Sequence, residues 1–183
     1  MNDVAAPTAR IRAFAWDYLA VLGYLVGLTG LGLLLTFGPV GSAWAELMED
    51  PVRADFVAFV FAVLPVVLYF ALSESSRAGA TWGKRRVGLV VVVAGLGTFP
   101  ALGRALIRNG LKFLPWQMAH TAMFHIPGLP AATGEPPTWS VVVLGAAWLL
   151  VALYLLGLTR LGGYRPMYDR VAGTVVVRGR AAE

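Results

Sequence analysis

The chain has 183 residues, 58% of them hydrophobic and 14% charged, and its mean hydropathy is +0.70. This leaves too few charges to cover a surface in water, so the composition excludes an ordinary soluble domain and indicates an integral membrane protein of one domain, residues 1–183. The net charge of +5 comes without any recognisable nucleic-acid-binding module, and the lack of cysteine excludes disulfides and thiolate chemistry.

The first predicted membrane span covers residues 13–37, an apolar run long enough to cross about 30 Å of hydrocarbon. Asp17 lies about 6 Å past its start, at 1.5 Å per residue, and so near one membrane face. Arg10 lies on the same face of the predicted helix as Asp17, but the two residues are too far apart along the helix axis to form a good ion pair. We expect a structural clamp in which each meets a partner from another segment, Lys84 to Arg86 or Asp169; an ion or proton site at Asp17 is the alternative.

A second span is predicted over residues 54–72, with a kink at Pro65. The apolar run that follows is too short to cross. Its β-branched part, Leu89 to Val93, predicts a short strand that pairs with a second valine run, Thr174 to Val177. Between these, residues 99–114 place basic side chains at intervals of four, which predicts a basic amphipathic helix lying against anionic lipid headgroups.

Two further spans are predicted, a weak one over residues 113–127 and a clear one over 138–159. If all four cross, every lysine and arginine except Arg53 lies on one side, which the positive-inside rule assigns to the cytoplasm. Both termini are then cytoplasmic. The weak span carries His120 and His125, which we interpret as histidines satisfied inside the bundle; a proton relay or a metal site is the alternative.

Four motifs in this order resemble the RDD family of bacterial membrane proteins, over nearly the whole chain. They centre on the charged residues of the first span, a basic loop, a helix with arginine and asparagine, and a closing aspartate: Arg10, Asp17, Thr81, Gly83, Lys84, Arg85, Arg108, Asn109 and Asp169. The family's arginine and two aspartates map onto Arg10, Asp17 and Asp169. Many members have histidine before the last aspartate, where this chain has Tyr168.

The resemblance implies a multi-pass protein of the bacterial inner membrane and no enzyme chemistry. Together with the residues, it predicts an all-α bundle of about four spans with a small cytoplasmic layer, and no metal or cofactor. We expect a non-catalytic accessory, assembly or interaction subunit that contacts anionic lipids and a membrane-protein partner or a second copy of itself. The alternative is a secondary transporter that exchanges a monovalent cation for protons, as proposed for some family members.

Overall fold

The computed structural model describes residues 4–128 and 134–179. It is mostly helical, with one π-helical segment and two short strands. The elements in chain order are α1 (Pro7–Phe37), α2 (Gly41–Glu49), α3 (Pro51–Ala58), the π segment (Phe59–Val63), α4 (Leu64–Ser75), α5 (Trp82–Arg86), β1 (Leu89–Val93), α6 (Leu102–Phe124), α7 (Thr138–Gly157), α8 (Met167–Val171) and β2 (Thr174–Arg178).

Within the described residues, three helices are long and apolar enough to cross a membrane: Pro7–Phe37, Pro51–Ser75 and Thr138–Gly157. They contain the predicted spans at residues 13–37 and 54–72 and most of the one at 138–159. The weak span at residues 113–127 falls mostly in the second half of α6, which is not among the three. The fourth crossing therefore stays a prediction.

The contacts divide the chain into two units. The first is built from residues up to Val21, Val66–Lys112 and the chain from Val151 onward, and it holds both strands, α5 and α8. The second is built from Leu22–Pro65 and Phe113–Leu150 and holds α2, α3 and the π segment.

A two-stranded sheet organises the first unit. β1 and β2 pair antiparallel, with Leu89 opposite Arg178 and Val93 opposite Thr174, which confirms the predicted pairing. The backbone N–H of Ala5 donates to Val176 at 2.9 Å, so the segment before α1 joins the edge of β2. Ala5, Leu89 and Val176 are buried in one apolar cluster with the first turns of α1.

Two prolines lie inside helical runs, and at each one a tyrosine hydroxyl replaces the missing backbone donor. Proline has no N–H, so the carbonyl four residues earlier loses its helical hydrogen bond. For Pro115 this is Leu111, whose oxygen accepts from the Tyr154 hydroxyl at 2.6 Å. For Pro65 it is the carbonyl of Phe61, in the π segment, which accepts from the hydroxyl of Tyr24.

We expect Tyr154→Phe to lower the free energy of unfolding by about 1–2 kcal/mol, because it leaves the half-buried Leu111 carbonyl without its donor. Pro115→Ala restores a backbone N–H at that carbonyl. In the double variant the loss from Tyr154→Phe should therefore shrink to well under half. The wild type, the two single variants and the double variant are unfolded by denaturant in mixed micelles and followed by far-ultraviolet circular dichroism. The four free energies of unfolding give the coupling energy between Tyr154 and Pro115. Additive effects of the two substitutions would contradict the assignment.

The predicted basic amphipathic helix over residues 99–114 is wrong in its extent and in the exposure of Arg108, whereas Arg104 is exposed as predicted. α6 begins at Leu102 and runs on through Pro115 to Phe124, so the basic stretch and the weak apolar run are one helix. Arg108 is only 2% exposed. Spacing shows that three cations share a side of a helix, but it does not show that carboxylates lie opposite that side.

Candidate functional site

Six charged side chains of the first unit form what we call the charge cluster. They come from α1, α4, α5, α6 and α8: Arg10, Asp17, Glu74, Lys84, Arg108 and Asp169. Its three carboxylates have no exposed surface at all. A buried carboxylate keeps its charge only when donors surround it, so the donors define what the cluster can do.

Asp17 is bound by neutral donors. Its carboxylate accepts from the Thr81 hydroxyl at 2.5 Å, the Gly83 backbone N–H at 2.7 Å and the Tyr69 hydroxyl at 3.0 Å. These donors are not the predicted partners, Lys84 to Arg86 or Asp169: two of them, Thr81 and Gly83, come just before that basic segment, and Tyr69 belongs to α4. The arrangement attaches α5 to α1.

Gly83 is required by this attachment. A Cβ atom there would lie 2.1 Å from the carbonyl oxygen of Ala13 and 2.8 Å from Cγ of Asp17. Thr81 caps the N-terminus of α5 with its side chain, which directs the next backbone N–H groups toward α1. Of these motif residues, Thr81 thus acts through its hydroxyl and Gly83 through its backbone N–H and its lack of a side chain.

Glu74, at the end of α4, is the member that the sequence analysis missed. It accepts from Lys84 Nζ at 2.8 Å, from Arg108 Nη1 at 2.7 and 2.8 Å, and from the side-chain amide of Asn109 at 2.7 Å. Glu74 stands among serines just after an apolar run, a pattern typical of a solvated loop. One carboxylate at the end of a span, followed by an excess of cations, is the signal that was available.

Asp169 holds the other end of the cluster. Arg10 Nη1 lies 2.9 Å from one of its oxygens and Arg108 Nε lies 2.8 Å from the other. Arg108 therefore joins Glu74 and Asp169. Burial lowers the pKa of Arg108, but the charges of Asp169 and Glu74 raise it more, so the net shift is upward. Of the predicted charged set, Arg10 and Asp169 meet directly, whereas Asp17 has separate partners.

The remaining motif residues flank the cluster. Asn109 also donates to the Ala105 carbonyl at 2.9 Å, and Arg85 donates to the Ala80 carbonyl at 3.2 Å. Tyr168 precedes Asp169 in the chain. Its ring lies 5.5 Å from the Arg108 guanidinium carbon. Burial and the charge of Asp169 raise the pKa of Tyr168, so it stays a neutral phenol.

A half-open cavity of about 230 Å³ adjoins the cluster within the first unit. Four cations line it, of which three belong to the cluster and the fourth is Lys112 of α6. Lys112 Nζ lies 3.7 Å from the ring centre of Phe70 and 4.9 Å from that of Phe14. Burial, followed by the positive charge of Lys84, lowers the pKa of Lys112 well below its usual value.

The second unit has its own polar group around Asp55. One carboxylate oxygen accepts from the Gln117 amide at 3.0 Å and the other from the Thr121 hydroxyl at 2.8 Å. His120 accepts from Trp116 at 3.1 Å, and Nδ1 of His125 lies 2.8 Å from the Thr121 carbonyl. His120 is thus bonded to a neighbour on its own helix, and His125, just past the end of α6, contacts the last turns of that helix. Residues 4–128 and 134–179 contain no group of three metal-ligating acid or histidine side chains.

Comparison with known proteins gives one match. The model of the RDD family matches residues 4–173, which include the whole charge cluster. No curated protein and no solved structure matches the chain.

Proposed function

Because this chain belongs to the RDD family, we propose that it is a membrane protein with a non-catalytic role, an accessory, assembly or interaction subunit. Three helices long and apolar enough to cross a membrane support the membrane assignment. In this proposal the charge cluster is a structural clamp that holds α1 against α5, α6 and α8.

The observation that carries the proposal is that hydrogen-bond donors surround each of the three buried carboxylates. Asp17 accepts from three residues, Glu74 from three and Asp169 from two cations, all without exposed carboxylate surface. An exchanger needs a carboxylate that alternately releases a cation and takes up a proton. Neutralising any of these three would leave several buried donors unpaired, which is costly each time. Such groups are suited to holding a structure together.

The proposed placement has both termini in the cytoplasm of a bacterial cell, with four spans in the inner membrane. The distribution of lysine and arginine supports it. A contact in the first unit supports a position at a membrane face: the Arg86 guanidinium carbon lies 4.8 Å from the Trp82 ring centre and 5.0 Å from that of Trp16. Tryptophan and arginine in contact are typical anchors at the level of lipid headgroups.

One observation favours the alternative, exchange of sodium or a similar cation for protons, at a different carboxylate. Asp55 is half-buried in the helical run Pro51–Ser75, and the neighbouring Gln117 side-chain oxygen is buried without a hydrogen-bond partner. A carboxylate, a hydroxyl and a free amide oxygen are ligands that hard cations accept. In a transporter, this group in the second unit would be the ion site, and the charge cluster would not.

The test separates the two functions. Purification of the tagged full-length chain from its native membranes in mild detergent should recover a partner in fixed stoichiometry. Proteoliposomes that carry a pH-sensitive dye should show no sodium-dependent proton flux. A lone, monodisperse chain, together with a flux that Asp55→Asn abolishes and Asp50→Asn leaves intact, would overturn the proposal in favour of exchange.

A further inference from the structure

The cavity of the first unit combines a charged lining with an apolar opening. Four cations line it, as described above. Its other lining residues include large apolar side chains of α1 and α7 that are exposed: Ile11 at 58%, Phe14 at 42% and Leu155 at 59%. A charged interior that opens through an exposed apolar rim fits an amphiphile, with a charged head inside and an apolar chain outside.

The described lining of the cavity is mainly cationic. Arg10, Lys84, Arg108 and Lys112 line it together with one carboxylate, Asp17. Cations that lie close together in a poorly solvated environment are stabilised by an anion. One anion in the cavity would therefore be favourable.

The lining also retains an unused hydrogen-bond donor. Nε of Arg10 is buried and has no hydrogen-bond partner, although Nη1 of the same side chain pairs with Asp169. A buried donor without an acceptor is rare and unfavourable. An oxyanion in the cavity would meet cations that already surround it, with charge-assisted hydrogen bonds as the expected contacts.

The depth of the cavity fits a phosphate of the bilayer. Its α1 lining, Ile11 to Asp17, belongs to the same turns as Trp16, which is 37% exposed and contacts Arg86 and Trp82. Tryptophan rings of this kind lie at the boundary between headgroups and hydrocarbon. A headgroup at this level could enter the cavity while its acyl chains remain in the membrane.

We propose that the cavity binds the phosphate group of one anionic phospholipid, whose acyl chains leave over the rim formed by Ile11, Phe14 and Leu155. The mainly cationic lining selects an anionic over a zwitterionic headgroup, and the apolar rim selects a lipid over a free anion. The inference rests on the proposed placement of this unit at a membrane face. It does not depend on whether the chain has a protein partner.

Binding is measured on the full chain, purified in a nonionic detergent, by native mass spectrometry and by thermal unfolding. Phosphatidylglycerol should remain bound at one molecule per chain and raise the melting temperature. Phosphatidylcholine and inorganic phosphate should do neither. Equal binding of phosphatidylcholine, or an equal stabilisation by inorganic phosphate, would overturn the proposal, the second by showing a site for a free anion.

Two variants locate the site. Lys112→Met should weaken phosphatidylglycerol binding about fivefold by removing one cation. Ile11→Glu places a carboxylate on the exposed rim and should weaken binding at least as much without entering the core. Val171→Glu makes a matched change at a residue of α8 that is 62% exposed and does not line the cavity; it should bind like the wild type.

Unchanged binding in Ile11→Glu would overturn the proposal even if Lys112→Met fails to fold. Failure of the proposed function is a separate result, since recovery of a protein partner and retention of a lipid are scored on different preparations.

Discussion

Glu74→Gln is expected to lower the free energy of unfolding by about 3–5 kcal/mol. The substitution keeps the shape of the side chain but removes the charge that Lys84 and Arg108 share, at 2.8 and 2.7 Å. Both cations remain buried and lose their common counter-ion. Most of the loss comes from Lys84, whose ion pair is with Glu74, because Arg108 keeps its ion pair with Asp169. Denaturant-induced unfolding in mixed micelles measures it.

The matched control is Glu49→Gln on α2, where the side chain is exposed and the change should stay within about 0.5 kcal/mol. Adding Lys84→Met to Glu74→Gln restores the charge balance of the cluster and should recover part of the lost stability. A Glu74→Gln protein as stable as the wild type would show that the cluster does not hold the first unit together.

Gly83→Ala is expected to cost about 3 kcal/mol or to prevent folding of the first unit, since one methyl group would have to occupy the space of the Ala13 carbonyl oxygen. Neither of the atoms that the methyl group would meet can move aside easily. The Ala13 carbonyl belongs to the backbone of α1, and the Asp17 carboxylate is held by three hydrogen bonds. The backbone of α5 would therefore have to withdraw from α1. The hydrogen bond from its N–H to Asp17 would be lost as well.

Gly110→Ala provides the comparison, because a Cβ atom there meets nothing within 4 Å. In the interior of α6 it should raise stability by about 0.5–1 kcal/mol through helix propensity. Yield and melting temperature of both variants in detergent decide between the expectations. A folded Gly83→Ala protein with an unchanged melting temperature would contradict the close approach of α5 to α1.

The sequence predicted the elements whose signal is local. Apolar length marks α1, α7 and the run from Pro51 to Ser75, and two unpaired valine runs indicate the strands. The resemblance to the RDD family grouped Arg10, Asp17 and Asp169 as one charged set. These residues do lie in one unit, but as two separate groups, because Asp17 binds a loop backbone and Asp169 binds arginines.

What the sequence could not provide depends on contacts between distant segments. Glu74 is 34 positions from Arg108, and its burial follows from the packing of α4 beside α6. Arg108 looks like a surface cation by spacing, since helical periodicity gives a direction for each side chain and not the identity of what it meets. The single helix through Pro115 was missed for the same reason: its stabilising donor lies on α7.

The tyrosine that satisfies the Leu111 carbonyl makes the middle of α6 depend on α7. On its own, the middle of α6 would bring a bare carbonyl into a poorly solvated environment, and its apolar content is weak. α7 is strongly apolar and is made later. Since α7 carries the missing donor, α6 should settle only after α7 has been synthesised. The two helices would then reach their final structure together, with the weaker one dependent on the stronger.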